Sequence, residues 1–284
     1  MPEFDLLLPE TVEQAVSLLD KYQDKASIIS GGTDVCVAMK SGYRTDFLIS
    51  LAKISGLDYL EYDPSTGLRI GAKTTISQVL SSADVKTYYP ALWQAASIFA
   101  TPQLRNTATV IGNLLRASPA GDCICAVYAL GGNIVLQGAE GQREVSVDEF
   151  WLAYGVTARK VDEIAIELNL PAPVKGNRSS FKRLTRTNED LAKLNAAAHL
   201  EMDGKKCKQA RLSIGCVAAI PMRLEKTEAL LKGAEITDDL LEKIVTNVGN
   251  EISPIDDVRS TAEYRNQVAG VLIKRVITQA CCKS

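Results

Sequence analysis

The chain has 284 residues, 46% hydrophobic and 23% charged, with 34 acidic against 32 basic side chains. This is the composition of a soluble globular protein of one large or two medium domains. The near-cancelling charge speaks against a nucleic-acid binder. No segment approaches the ~20 apolar residues of a membrane span, and the acidic start MPEFDLLLPETVEQA has too short an apolar run for a signal peptide. The sequence-based expectation is therefore a cytoplasmic protein.

In chain order, TVEQAVSLLDKY carries apolar residues at helical spacing, with Thr11 as N-cap. ASIIS reads as a strand, and Ser30-Gly31-Gly32-Thr33-Asp34 follows as a tight loop. DVCVAMKSG reads as a short helix ended by Gly42, and DFLISL as another strand. A second unit opens near residue 57. There GLRIGAKTTISQVLSS predicts a strand, then a helix capped by Thr74 or Thr75. YPALWQAASIFATPQLRN is helical to Ala100 and breaks at Pro102. TPQLRNTATVIGNLLRASPAGD, residues 101–122, reads as a polar loop rich in small residues. NIVLQGAEGQREVSV predicts a hairpin and DEIAIELNLP a strand. PAPVKGNRSS marks a boundary. Beyond it, SSFKRLTRTNEDLAKLNAAAHLEM and KQARLSIGCVAAIPMRL read as strands. EKTEALLKG, TDDLLEKIVTNVGNEI and TAEYRNQVAGVLIKRVITQACC read as helices.

Seven cysteines without a C-x-x-C pair give neither a disulfide framework nor a zinc site. Cys123 and Cys125 lie in an apolar run and are expected to be buried. The single histidine, His199, leaves no plausible acid–base–nucleophile set, so catalytic residues are not expected. No resident metal site is expected either. The chemistry is carried by the two glycine-containing loops. Glycine lets successive backbone N–H groups converge on an anion, and Thr33 adds a hydroxyl. Asp34 would repel a phosphate and is expected to cap the following helix. The first loop is neither a Walker A loop nor a G-x-G-x-x-G fingerprint. A nucleotide held there needs a second clamp, which Thr107, Thr109, Gly112, Asn113, Ser118, Gly121 and Asp122 could provide. An ionised acid such as Asp122 suits paired ribose hydroxyls. On spacing alone, a plain turn and a polar surface loop remain open alternatives.

SGGTD, followed some eighty residues later by QLRNTATVIGNLLRASPAGD, resembles the FAD-binding (medium) subunit of molybdenum hydroxylases. That family includes the xanthine, carbon monoxide and nicotinate dehydrogenases. The resemblance extends over PETVEQAVSLL, LISLAKISGL, LRIGAKTTISQ and DEI. It implies an α+β fold: a two-subdomain FAD-binding domain of the vanillyl-alcohol-oxidase (PCMH) type, then a smaller α+β C-terminal domain. The expected limits are 1–174, with subdomains of about 1–56 and 57–174, and 175–284.

For the cofactor, the resemblance implies that Ser27, Ile28, Ile29, Ser30, Gly31, Gly32, Thr33 and Asp34 wrap the FAD pyrophosphate. Ala108, Thr109, Gly112 and Asn113 match positions at the pyrophosphate and near the flavin. Asp122 matches an acid at the sugar portion, Phe99 an aromatic beside FAD, and Ile164 an apolar contact on the adenine side. Lys182 matches a lysine at the cofactor, with Phe181 beside it as a further contact. One departure stands out. The family usually reads Ala-Thr-x-Gly-Gly-Asn, and Ile111 replaces the first glycine here. A β-branched residue is strained if that position has positive φ; if the glycine only gives close approach, Ile111 would push the cofactor slightly and alter its pose or redox potential.

The resemblance also implies an electron-transfer role between two partners, a small subunit with two [2Fe–2S] clusters and a large molybdopterin subunit. NAD+ or another acceptor would take the electrons. No NAD-specific motif and no cluster-type cysteine spacing is present in this chain. Two competing readings are a stand-alone flavin reductase of the UDP-N-acetylmuramate type and a non-catalytic scaffold with weak FAD binding.

Overall fold

The computed structural model describes residues 3–282. The first unit alternates strands and helices: β1 (Asp5–Leu7), α1 (Val12–Tyr22), β2 (Ala26–Ile29), α2 (Val35–Lys40) and β3 (Phe47–Ser50). These strands form a parallel sheet in the order β1-β3-β2. The Thr11 hydroxyl accepts from Gln14 N–H and starts α1, which buries Ala15, Val16 and Leu19. β1, too short to show a period, was not legible in the sequence.

The second unit opens with β4 (Leu60–Asp63) and β5 (Gly67–Gly71). A run of short helices follows: α3 (Ile76–Ser81), α4 (Ala83–Tyr88), α5 (Pro90–Ser97), α6 (Pro102–Arg105), α7 (Val110–Leu115) and α8 (Asp122–Leu130). The unit ends with β6 (Asn133–Gly138), β7 (Gly141–Ser146), α9 (Val147–Phe150), β8 (Trp151–Ala153), β9 (Val156–Thr157) and β10 (Ile164–Leu170). Its sheet is antiparallel, in the order β4-β5-β10-β6-β7. Thr75, not Thr74, caps α3, in a reciprocal capping box with Gln78. Thr74 is fully buried and donates its hydroxyl to Tyr59 O instead. Pro102 does not merely break a helix. It occupies the first turn of α6, where its missing N–H costs nothing.

The segment read as a polar loop differs most from expectation. Residues 101–122 contain α6 and α7, joined by short turns. α7 forms because the Thr109 hydroxyl accepts from Gly112 N–H at 3.0 Å, and because Val110, Ile111 and Leu114 share a buried face.

The last unit comprises β11 (Asn177–Leu184), β12 (Leu194–Asp203), β13 (Lys206–Gly215), β14 (Met222–Arg223), α10 (Glu225–Leu231), α11 (Asp238–Gly249) and α12 (Ala262–Cys281). Its four strands form an antiparallel sheet in sequence order. α12 packs on that sheet through Ala269, Leu272, Ile273, Val276 and Ile277. One core lies mainly within the first two units, with Phe181 and Ala197 of the last unit packed into it, and a second lies mainly within the last, joined by Ala120. α8 joins them: Cys123 and Cys125 are fully buried, and Ser213 donates its hydroxyl to Cys125 O at 2.6 Å. No helix among the described residues is long and apolar enough to cross a membrane.

Candidate functional site

β2 ends at Ile29, and the chain must then turn into α2 within five residues. Gly32 makes the turn at φ +71°, in the left-handed region. Gly31 serves a different need. A Cβ there would stand 1.8 Å from Thr107 O, so the loop lies directly on the backbone that leads into α7. That backbone is itself stitched in place. Ile76 N–H donates to Ala108 O at 2.9 Å, and Val110 N–H donates to Thr74 O at 3.1 Å. Gly112 completes the close approach, since a Cβ there would meet Thr109 Oγ1 at 2.7 Å.

Beside this junction is a cavity of about 560 Å³, within the size range of small-molecule and cofactor sites. It runs along β2 from the 30–34 loop back to Asp24 and Ala26. Among the described residues, no carbonyl or side chain accepts from the N–H groups of Gly31, Gly32, Thr33 or Asp34, all of which line it. Asn113 also lines it, and its Oδ1 is buried without a hydrogen-bond partner. The lining thus carries backbone donors at 31–34 and an amide oxygen at Asn113 for which the surrounding protein supplies no partner.

The sequence-predicted residues divide cleanly. Ser27, Ile28, Ser30, Gly31, Gly32, Thr33, Asp34, Phe99, Ala108, Thr109, Gly112, Asn113 and Ile164 all line this one cavity. Ile29 does not. Its Cδ1 lies 3.3 Å from the place of a Gly32 Cβ, behind the loop.

Asp122, Phe181 and Lys182 also lie outside the cavity lining. Asp122 is buried at the start of α8 and pairs with Arg183 at 2.5 Å, both side chains under a tenth exposed. Burial pushes its carboxyl above the ordinary carboxylate range, while Arg183 and Asn195 pull it down. Phe181 is a core residue, and its N–H donates to Gln94 Oε1 at 2.8 Å. Lys182 is half-buried on β11.

Asp34 corrects one expectation. It stands at the N-cap position of α2, but its side chain caps nothing. It faces Arg116 at 3.5 Å instead. Partial burial raises the Asp34 carboxyl above its usual value, and Arg116 works against that rise. Ile111 is helical and 2% exposed, so the strain of a positive φ does not arise; its side chain packs into the core and also lines the cavity.

The cavity also recruits residues that the motifs did not mark. The Tyr43 hydroxyl hydrogen-bonds to Ser27 Oγ at 2.5 Å. Arg159 spends one amino group on the Lys160 and Glu163 carbonyls, at 2.9 and 2.7 Å. Burial pulls its guanidinium below the usual value, with Glu163 opposing. Arg116 lay inside the quoted motif without a role, whereas TARK around Arg159 carries no signal by itself.

Comparison with known proteins agrees with this geometry. A family model described as "FAD binding domain in molybdopterin dehydrogenase" matches residues 2–173, and one described as "CO dehydrogenase flavoprotein C-terminal domain" matches residues 179–280. The carbon monoxide dehydrogenase medium chain of Afipia carboxidovorans is 30% identical over 98% of this chain and 96% of its own. The nicotinate dehydrogenase FAD-subunit of Eubacterium barkeri is 28% identical over 96% and 95%. A solved carbon monoxide dehydrogenase from Hydrogenophaga pseudoflava, lacking the Mo-pyranopterin moiety of its molybdenum cofactor, matches with a TM-score of 0.94. It is 29% identical, over 98% of this chain and 97% of that one. The α+β architecture of an FAD-binding unit followed by a C-terminal domain is thus the fold of these flavoproteins. The chain belongs to the family of FAD-binding medium subunits of molybdenum hydroxylases, as an oxidoreductase component.

Proposed function

We propose that this chain is an electron-transfer subunit whose cavity holds FAD. It would work between a small partner carrying [2Fe–2S] clusters, which draws on a large molybdopterin partner, and NAD+ or another acceptor. The observation that carries the reading is the row of unpaired amides at Gly31–Asp34 in the same cavity lining as the unpaired Asn113 Oδ1.

The residues present fit the cofactor. A dinucleotide's diphosphate takes hydrogen bonds from converging amides and from the Thr33 hydroxyl. The flavin ring and ribityl chain offer the N–H and O–H donors that an orphaned amide oxygen accepts. Ile28, Phe99, Ala108, Val161 and Ile164 give the cavity apolar surface for the cofactor's rings. Asp122, Phe181 and Lys182 enter the proposal on family resemblance alone. When bound, FAD supplies reversible two-electron chemistry that can be divided into single-electron transfers. The chain's own part is to place the cofactor, exclude water around it and set the local charge.

The direct test is flavin released by heat from the purified chain, identified by chromatography and quantified per mole of protein. Near-stoichiometric FAD is expected. FMN, or no flavin even in the assembled complex, would overturn the reading. The isolated chain is also expected to lack hydroxylase activity toward N-heterocycles and aldehydes. Such activity in homogeneous protein would remove the need for partners.

A further inference from the structure

We propose that Arg116 is a positioning residue for the cofactor. Its guanidinium neutralises Asp34 in the anion-binding loop and ties that loop to the β8–β9 hairpin. The inference rests on the FAD reading of the cavity.

An acidic side chain is electrostatically out of place on this loop. Asp34 and the unpaired amides line the same cavity, so a carboxylate shares the space of the anion those amides would hold. Like charges at such range repel, less so where solvent reaches them. The Asp34 side chain is 53% exposed and has no helix-capping role that would account for it.

Arg116 is fixed rather than freely mobile. Its Nε lies 3.5 Å from Asp34 Oδ1, and its Nη2 donates to the Tyr154 hydroxyl at 3.0 Å. The Tyr154 ring centroid lies 5.3 Å from the guanidinium carbon, within cation–π range. The hairpin holding Tyr154 is anchored beside it. Ala117 turns the chain after α7 at φ +48°, and its carbonyl accepts from Gly155 N–H at 3.0 Å. Arg116, Asp34 and Gly155 all line the cavity. One cation therefore joins the loop, the end of α7 and the hairpin, and it offsets the acidic charge carried by the loop itself.

The test is FAD titration of the deflavinated chain in five forms: wild type, R116A, R116K, D34N and R116A/D34N. Arg116→Ala is expected to weaken FAD binding about tenfold, because it leaves Asp34 uncompensated. Asp34→Asn is expected to bind at least as tightly as wild type. In the double variant, binding should return to within about threefold of Asp34→Asn. Arg116→Lys, which keeps the charge, should retain most of the affinity. An Arg116→Ala variant that binds like wild type overturns the inference. So does a double variant as weak as Arg116→Ala, which would mean that Arg116 acts by direct contact or through the fold. A wild-type chain that takes up no FAD removes the cavity reading itself, and the inference falls with it.

Discussion

The Thr107 carbonyl occupies the space that a Cβ on Gly31 would need, 1.8 Å from its position. Two segments far apart in the chain thus meet backbone to backbone, with Gly31 and Ala108 beside the contact both lining the cavity. Gly31→Ala is expected to push the loop off Thr107. It should cost about 1–3 kcal/mol of stability, as overpacking does, and most of the bound flavin. Flavin-to-protein ratio and thermal midpoint would be measured together. Gly249→Ala is the control, since nothing lies within 4 Å of a Cβ there. An alanine at 31 with the wild-type melting point and full flavin would show that the loops can separate harmlessly.

Ile111 raises the opposite question, whether a side chain is needed where the motif resemblance implies a glycine. It is helical and 2% exposed, and it shares the buried face of α7 with Val110 and Leu114. Ile111→Gly is expected to lose about 3–5 kcal/mol, from the emptied core volume and the glycine's cost within a helix. No gain in FAD occupancy should accompany it. Urea unfolding gives the first quantity and flavin content the second. A variant that holds clearly more FAD would make Ile111 an obstacle to the cofactor.

Much of the site was legible because its demands on the backbone are local. Gly31-Gly32 between an apolar strand and a helix is readable, since few other residues tolerate positive φ and close backbone contact. The caps Thr11 and Thr75 were readable from their hydroxyls and the apolar residues behind them. α7 was obscured by its glycine and asparagine and by the Ala-Ser-Pro-Ala-Gly run after it, although Val110, Ile111 and Leu114 carry the spacing of a helix face. β8 and β9 were invisible, because strands of three and two residues have no period. The Asp34–Arg116 pairing could not be read at all. It depends on the meeting of two distant segments, which no local pattern encodes.

His199, the chain's one histidine, should report on acid sensitivity. It lies on β12, and its Nε2–H donates to Asn177 Oδ1. Burial, then Arg211 across the strand pair, lowers its pKa to about 4, with the Ala129 carbonyl opposing. The unfolded chain therefore binds the proton first. Stability from this group is full above about pH 6.5 and is lost as pH falls toward 4, by on the order of 3 kcal/mol. The single ring resonance makes an NMR titration direct. A midpoint near 6.5 in the folded protein would rule out this contribution, whereas His199→Gln should flatten the stability profile across the same range.

Asp257 should govern a lower range. Its Oδ1 accepts from Arg265 Nη2 at 2.8 Å and from Arg259 N–H at 2.8 Å, and its Oδ2 accepts from Arg259 Nε at 3.0 Å. Burial works to raise its pKa, but the bonds from Arg259 and Arg265 prevail and hold the carboxyl well below the usual range. The folded state then binds this proton later than the unfolded state. The contribution is present above the ordinary Asp pKa of about 3.9 and disappears as pH falls below it. Arg265 makes the site sensitive, because it is 1% exposed and, among the described residues, otherwise meets only the Lys193 and Ile255 carbonyls, at 3.1 and 2.6 Å. Asp257→Asn leaves that guanidinium without its counter-charge and is expected to cost about 3 kcal/mol at neutral pH. It should also make the melting temperature less steep in pH between about 4 and 2.5. If the variant matched wild type in both, the anchoring of α12 would have to come from the two carbonyls alone.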